Sequence, residues 1–392
     1  MNKEIVKGFK DYVGEEAEKF SVIREMVRRT YEKYNFEEVQ TPIIEREEFV
    51  KGDNSNDEAV SDIFKLQDKG KRKLALRYEF TFQLKRIANN KKLPFKIFQI
   101  GPVFRDEPVK GNRWRQFTQC DIDVIGSGVK EEAEVIAAAK EVLDALKIKS
   151  TIYFNNRKLL DEILESLGIN NKDDKEQAIR EIDKLDKLPE KEVKKNLDKI
   201  GAGELLSIVK KPEKFFERYK NYSEIKELKK YAGAYGVKLV FAPFLARGLA
   251  YYTGSIFEIK SELKETIVGG GSYMLNGFQS TGISMGLDRI VLISKMIVDI
   301  EKYLIVSLGE DRKAIELSKK LRSQGKNTSV YFGKPSKALE YANSYKIKNV
   351  IFVGAQEIKK KKFMVKDMDT GRQRVLVLEK RTKKNIILKK RR

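Results

Sequence analysis

The chain has 392 residues, and its single cysteine, Cys120, excludes an internal disulfide and any multi-cysteine zinc site. Lysine and arginine total 80 against 58 acidic residues, and this excess of 22 positive charges favours a polyanionic partner such as nucleic acid, although a lysine-rich proteome or a salty cytosol would produce it too. Because the chain contains no histidine, its chemistry must rely on Arg, Asp, Glu, Gln, Tyr, Thr and backbone groups.

The sequence predicts a cytoplasmic protein that does not cross a membrane. Its apolar runs, such as residues 239–246 and 290–293, are far shorter than a bilayer span. The opening MNKEIVKGFKDY lacks the basic and apolar segments of a secretory signal. Since the chain is longer than one hydrophobic core usually supports, we expect a large domain and a smaller one.

The first part of the chain predicts helices and an antiparallel hairpin. Residues 13–35 carry apolar positions at helical spacing, and residues 74–90 predict a strand that runs into a helix. Residues 95–107 and 113–126 alternate in polarity around the polar loop PVKGN, which predicts the hairpin. Residues 130–146 have a strong helical pattern.

The rest of the chain predicts an insertion and a second domain. Residues from about 156 to 235 are heavily charged and helical in pattern, and strand-like segments return at 238–244, 251–259 and 265–273 before an apolar helix at 288–298. After residue 301 strands alternate with helices, which predicts a small α/β domain with a largely parallel sheet. The predicted domains are therefore 1–300 and 301–392.

Two segments carry arginines that suit a triphosphate. Arg105 ends one hairpin strand and Arg113 begins the other, where Phe117 offers a stacking face; a basic hairpin on the surface is the alternative. The segment GISMGLDR at 282–289 joins a small-residue strand to a helix and brings Arg289 to the helix start. There, tight packing with Arg289 paired to an acid is an equal alternative.

These two segments resemble motifs 2 and 3 of class II aminoacyl-tRNA synthetases, and TPIIE at 41–45 resembles motif 1. LARGLAYYTG at 245–254 resembles RGLDYYTG, the signature of histidyl-tRNA synthetases, and residues 7–12 and 76–81 resemble that family's opening and amino-acid-binding strand. The similarity covers essentially the whole chain. It implies an α+β fold, in which a class II catalytic domain with an antiparallel sheet and a helical insertion precedes a C-terminal α/β anticodon-binding domain.

The resemblance also implies a reaction. L-histidine is ligated to tRNA(His) at the cost of ATP, through a histidyl-adenylate, with release of AMP and pyrophosphate. Mg²⁺ accompanies ATP because it offsets phosphate charge, although the sequence does not identify its ligands. Catalysis by positioning and charge stabilisation requires no protein histidine. Class II enzymes pair through motif 1, so a homodimer is expected.

The resemblance assigns roles to individual residues. The catalytic residues are Arg247 and Arg105. ATP binding is assigned to Arg105, Glu107, Arg113, Phe117 and Arg289. Histidine binding is assigned to Glu79, Thr81, Gln119, Asp123, Arg247, Tyr251, Tyr252 and Tyr273. Trp114, in a loop rich in Lys and Arg, is expected either to contact the acceptor end of tRNA or to cap the hairpin.

Three positions depart from the family pattern. Ala250 stands where RGLDYYTG has Asp, and Ser272 and Met274 stand in the loop that the family writes GGRYDGL. Joint loss of an acid and an arginine leaves no unpaired charge and is one explanation; relaxed or lost histidine specificity is the other. The alternative functions are therefore a histidine-binding regulatory paralogue that charges no tRNA, a class II synthetase for another amino acid, and an inactive tRNA-binding protein.

Overall fold

The computed structural model describes residues 3–52, 58–109, 114–186, 188–246, 251–262 and 266–378, without the side chains of residues 58, 59 and 186. The chain divides into two compact units, Met1–Ile297 and Val298–Arg392. Within the described ranges, no helix is long and apolar enough to span a membrane.

The first unit contains a large sheet and a small one. Its strands are β1 (Glu37–Glu38), β2 (Ile44–Arg46), β3 (Lys65–Gln67), β4 (Lys73–Leu76), β5 (Phe95–Phe104), β6 (Gln116–Ile125), β7 (Ser150–Asn156), β8 (Leu239–Phe241), β9 (Tyr252–Ser261), β10 (Thr266–Leu275) and β11 (Phe278–Gly286). The large sheet has the order β1-β5-β6-β11-β10-β9-β7-β8, and only the pairs β1–β5 and β7–β8 are parallel. The antiparallel sheet expected from the sequence is confirmed.

The first unit also contains helices. They are α1 (Gly14–Lys33), α2 (Glu47–Lys51), α3 (Glu58–Ser61), α4 (Thr81–Ile87), α5 (Val129–Ala145), α6 (Arg157–Ser166), α7 (Lys172–Ile182), α8 (Glu190–Asp198), α9 (Leu205–Ile208), α10 (Tyr222–Ala234) and α11 (Leu287–Ile293), with 3-10 helices at Asp183–Asp186 and Glu213–Arg218. The apolar positions of α1 recur every three or four residues, so Ile23, Val27 and Tyr31 share one buried face. Burial of each stabilises the fold by about 1.5–3 kcal/mol.

The charged stretch between β7 and β8 folds into α6 to α10 and the two 3-10 helices. Its apolar residues Leu160, Ile179, Leu197, Phe216 and Leu228 are fully or almost fully buried and belong to the same core cluster as α5. α10 packs directly on α5. This segment therefore extends the core of the first unit and does not build a core of its own.

A small antiparallel sheet, β2-β4-β3, lies at the segment that resembles motif 1. The fully buried Gln83 of α4 ties this segment down, since its amide donates to the Pro42 carbonyl at 2.8 Å and to Glu45 at 2.6 Å. Arg86 adds a two-pronged ion pair to Glu45 at 2.8 and 3.1 Å. The sequence patterns predicted the strand β4, at the start of residues 74–90, but not its pairing into a sheet, because these strands are only three or four residues long.

The second unit is an α/β sheet of the expected kind. Its elements are β12 (Lys302–Ser307), α12 (Asp311–Ser323), β13 (Asn327–Phe332), α13 (Pro335–Ser344), β14 (Asn349–Val353), α14 (Ala355–Lys360), β15 (Met364–Asp367) and β16 (Gln373–Val375). The order is β13-β12-β14-β15-β16, with the first three strands parallel and the last two antiparallel. Leu304, Val306 and Val350 form a buried core between this sheet and α13.

One predicted element is wrong in length. The apolar pattern predicts a helix through residue 298, but α11 ends at Ile293 and Ser294 is extended, with φ −64° and ψ 125°. Ser294 is buried, its hydroxyl accepts from the Met296 amide at 3.2 Å, and its carbonyl accepts from Lys19 at 2.6 Å. A serine that hydrogen-bonds nearby backbone competes with the helical ladder, which explains the early end.

Candidate active site

A pocket of about 600 Å³ lies in the first unit against β6, β9, β10 and β11. It brings together eleven of the thirteen predicted site residues: Glu79, Thr81, Arg105, Glu107, Phe117, Gln119, Asp123, Tyr251, Tyr252, Tyr273 and Arg289. The other two, Arg113 and Arg247, lie outside the described residues, as does Ala250. Trp114 also lines the pocket.

The hairpin β5–β6 supplies a cation and an aromatic face. The Arg105 guanidinium lies 5.2 Å from the centre of the Phe117 ring, and its Nε donates to the Tyr78 carbonyl at 3.2 Å. Glu107 lies 3.9 Å from the same guanidinium. Arg105 and Phe117 sit at facing ends of the two strands because the register pairs Phe104 with Gln116. Together they present a stacking surface beside a fixed positive charge.

Arg115 belongs to the hairpin itself. Its guanidinium pairs with Asp106 at 3.2 Å and donates to the Glu107 carbonyl at 3.1 Å. Its stem also lies under Gly8, where a Cβ would approach the Arg115 side chain to 2.7 Å. Arg115 therefore fixes the approach of the N-terminal segment to the hairpin.

The start of α11 supplies the second cation. Arg289 donates to the Thr266 carbonyl at 2.8 Å. Its neighbour Asp288 accepts from the Thr118 amide at 2.6 Å and from the Tyr12 hydroxyl. Burial and this carboxylate raise the pKa of Tyr12 above its usual range. These bonds tie the helix start to β6 and to the N-terminal segment.

The pocket also contains a hydrogen-bonded pair of an acid and a tyrosine. The Tyr273 hydroxyl donates to Asp123 Oδ1 at 2.6 Å, and both side chains are buried. Burial raises the pKa of Asp123 to about 7, although the hydrogen bond from Tyr273 opposes the rise. Gly282 lies opposite Asp123 in the sheet, and a Cβ there would come within 2.0 Å of the carboxylate. The site therefore requires glycine at 282.

Three tyrosines line the pocket around Asp123. The Tyr251 ring lies 4.8 Å from Tyr252 and 5.9 Å, edge to face, from Tyr273. Edge-to-face packing is favourable for aromatic pairs and fixes the rings. A small polar ring system could bind between the tyrosine faces and the Asp123 carboxyl.

The two described departures from the family pattern lie off the pocket. Met274 is half exposed, and Ser272 is buried on the other face of β10, where its hydroxyl donates to Glu132 of α5. Burial raises the pKa of Glu132, while hydrogen bonds from Ser255 and Ser272 lower it. A neutral serine therefore faces Glu132 where the family motif has an arginine.

The pocket also contains residues that the sequence patterns did not single out. Asp121 and Ser284 line it between Gln119 and Asp123, and Glu258 and Lys260 lie on β9. Asp121 could have been found from the alternation in QCDID, because positions 119, 121 and 123 of one strand share a face. No set of three or more Asp, Glu or Cys side chains within the described ranges is arranged to hold a metal ion.

The antiparallel sheet with this pocket, followed by a separate α/β unit, defines a class II aminoacyl-tRNA synthetase. A family model described as histidyl-tRNA synthetase matches residues 8–290, and one described as an anticodon binding domain matches residues 302–385. Histidine–tRNA ligase 1 of Bacillus cereus is 33% identical over 95% of this chain and 96% of its own length. The chain therefore belongs to the histidyl-tRNA synthetase family of ligases.

Two solved structures are similar in fold to this chain. Histidyl-tRNA synthetase from Nostoc sp. superposes with a TM-score of 0.83 at 25% identity, over 96% of this chain and 97% of that one. A Bacillus halodurans protein described as an ATP phosphoribosyltransferase regulatory subunit/histidyl-tRNA synthetase superposes with a TM-score of 0.76 at 19% identity, over 89% of this chain and 98% of that one. The second likeness shows the fold alone.

Proposed function

We propose that this enzyme activates L-histidine with ATP to form histidyl-adenylate and then transfers the histidyl group to tRNA(His), releasing pyrophosphate and AMP. The observation that carries the proposal is that one pocket holds Arg105, Phe117 and Arg289 together with the Asp123–Tyr273 pair. The first set suits a nucleotide, and the second suits a ring with hydrogen-bonding nitrogens.

The nucleotide would lie along the hairpin. Phe117 stacks on the base and Glu107 binds the adenine end, while Arg105, Arg289 and Arg113 hold phosphate oxygens. Guanidinium forks suit phosphate geometry. Arg105 already lies over the Phe117 ring, so the aromatic face and the charge come as one unit. Mg²⁺ would arrive with the phosphates, and Glu258 is a pocket carboxylate that could complete its shell.

Histidine would place its imidazole against Asp123, Tyr251, Tyr252 and Tyr273. Its carboxylate then attacks the α-phosphorus in line while pyrophosphate departs, and Arg247 with Arg105 stabilises the charge that develops. Preorganised cations of this kind act without a proton transfer from the protein. Glu79, Thr81 and Gln119 would hold the α-amino group, a cation that favours carboxylate and carbonyl acceptors.

We also propose the wider setting of this reaction. Residues 1–300 are the catalytic domain and residues 301–392 the anticodon-binding domain, in a cytoplasmic enzyme whose positive charge favours tRNA. Trp114, at the pocket, would contact the acceptor end. Two copies would pair through the motif 1 segment, where Ile43 and Ile44 are 40% and 50% exposed. Apolar side chains that are exposed on a small sheet are typical of a surface that a partner covers.

Charging of a tRNA(His) transcript with labelled histidine tests the proposal. Wild-type enzyme should form histidyl-tRNA, Arg289→Ala should lower the rate on the order of 100-fold through loss of a charge-stabilising group, and the exposed Arg29→Ala on α1 should leave it within about twofold. Arg29 is the matched control because it is an exposed arginine that pairs with Glu25 on the same helix. Histidine binding without charging would favour the regulatory paralogue, and charging with another amino acid would refute histidine specificity.

A further inference from the structure

Buried polar atoms of Gln119 and Asp121, on one face of β6, point to a ligand group that binds both residues. Gln119 and Asp121 are two residues apart, so their side chains share a face of the strand, and both line the pocket. They are only 7% and 4% exposed. Within the described part of the chain, neither Gln119 Oε1 nor Asp121 Oδ1 has a hydrogen-bond partner.

The polar neighbours of these atoms are fixed by Ser284 on β11. The Gln119 amide nitrogen donates to the Ser284 hydroxyl oxygen at 2.6 Å, and the same serine hydrogen-bonds the Asp121 carboxyl. Ser284 stands opposite Asp121 in the sheet register. The Gln119 Oε1 atom left over is an acceptor, and Asp121 Oδ1 is an acceptor when the carboxyl is ionised.

The electrostatics around Asp121 favour an incoming cation. Burial raises the pKa of Asp121 well above its usual range, and the charges of Asp123 and Glu79 add to the rise, while Ser284 and Arg105 oppose it. A buried carboxyl with an unsatisfied oxygen is costly unless a donor or a positive charge reaches it. The pocket is therefore short of donors at this point.

A primary ammonium group has the chemistry that is missing. It carries three N–H donors on one atom and a positive charge, so it can serve two neighbouring acceptors at once. An imidazole ring directs its two nitrogens apart and cannot, and Asp123, two residues further along the strand, already takes the Tyr273 hydroxyl. A metal ion would need more acid ligands than the described residues assemble.

We propose that Asp121 is a binding residue for the α-ammonium group of the amino-acid substrate, which it shares with Gln119. This inference rests on the proposed function and adds to it a carboxylate that selects for a free amino group. It separates the roles of two acids on one strand, since Asp121 takes the ammonium group and Asp123 the side-chain ring.

The test compares two ligands on two variants. L-histidine and its deaminated analogue, imidazolepropionate, differ only in the ammonium group, and their dissociation constants are measured by calorimetry. Asp121→Asn keeps the shape but removes the charge. It should raise the dissociation constant of histidine about tenfold or more, as expected for the loss of a charge-assisted hydrogen bond. The dissociation constant of the analogue should stay within about twofold of its wild-type value, so the preference for histidine over the analogue should shrink.

Asp123→Asn is the matched control, because it makes the same isosteric change on the same face of β6. It should weaken the binding of histidine and of the analogue by similar factors, since both ligands carry the imidazole ring. Equal losses of both ligands in Asp121→Asn would show a structural role and overturn the inference, as would unchanged binding of both. Asp121→Ser, which is smaller and neutral, repeats the comparison if the asparagine variant does not fold.

The outcome is distinguishable from failure of the proposed function. The ammonium group is common to all amino acids, so if wild-type enzyme binds another amino acid in place of histidine, that amino acid and its deaminated analogue give the same comparison. Histidine specificity would then be refuted while the role of Asp121 was still decided. Absence of binding for every amino acid would overturn both.

Discussion

Replacing Asp123 with asparagine should make the first unit more stable, and increasingly so as the pH rises from 4 to 7. Burial raises the pKa of Asp123 from an ordinary value of 3.8 to about 7 in the folded protein. Between these values the unfolded chain loses the proton and the folded chain keeps it, so the wild-type protein becomes less stable with rising pH. Above pH 7 both states are ionised and the loss is complete.

The folded-state pKa lies about three pH units above the ordinary one, and each unit corresponds to about 1.4 kcal/mol. The difference in the free energy of unfolding, Asp123→Asn minus wild type, should therefore rise by about 4 kcal/mol from pH 4 to pH 7 and then level off. An amide oxygen can still accept from the Tyr273 hydroxyl, so the variant keeps that bond.

Urea unfolding of both proteins at pH 5, 6, 7 and 8, followed by a signal from the first unit, measures this difference. Tyr273→Phe provides a second arm: it removes the bond that lowers the pKa of Asp123, so the stability change should continue above pH 7. A difference that is flat with pH, or that falls as the pH rises, would show that the pKa of Asp123 is not raised in the folded protein.

Three other changes have expected outcomes. Gly282→Ala places a Cβ within 2.0 Å of Asp123 and should weaken histidine binding in calorimetry at least tenfold, at a cost of about 1–3 kcal/mol in stability; unchanged binding would mean that the carboxyl moves freely. Glu132→Gln removes a buried acid whose pKa is raised above its ordinary value of 4.5, so its melting temperature should exceed that of wild type by more at pH 7 than at pH 4, and a smaller excess at pH 7 would contradict this. Leu304→Ala, in the core of the second unit, should destabilise that unit by about 2–5 kcal/mol and lower tRNA charging while histidine-dependent pyrophosphate exchange persists; loss of exchange would show that activation needs the second unit.

The elements that were predicted correctly are those with long, regular patterns. The hairpin of β5 and β6 has ten residues on each strand, and α5 has seventeen residues with a steady apolar face, so each pattern is long enough to predict its element. The small sheet β2-β4-β3 has no comparable pattern. It depends on the polar contacts of Gln83 and Arg86, which come from a different part of the chain.

The candidate site also contains residues that the sequence predicts and one whose role only the structure suggests. Motif resemblance names the pocket residues that a family shares, such as Arg105 and Tyr273, and the structure places them in one pocket. It does not name Asp121, because that role depends on an acceptor left without a partner once Gln119 and Ser284 have paired across two strands. Whether a buried acceptor atom has a hydrogen-bond partner depends on the three-dimensional structure, so residue spacing in the sequence does not reveal it.

Amino-acid-dependent exchange between ATP and pyrophosphate, with each of the twenty amino acids supplied singly to the purified enzyme, would show which amino acid the enzyme activates. We expect exchange with histidine alone, which would show that Ala250, Ser272 and Met274 are tolerated departures from the family pattern. Exchange with a different amino acid, or with none, would contradict this expectation.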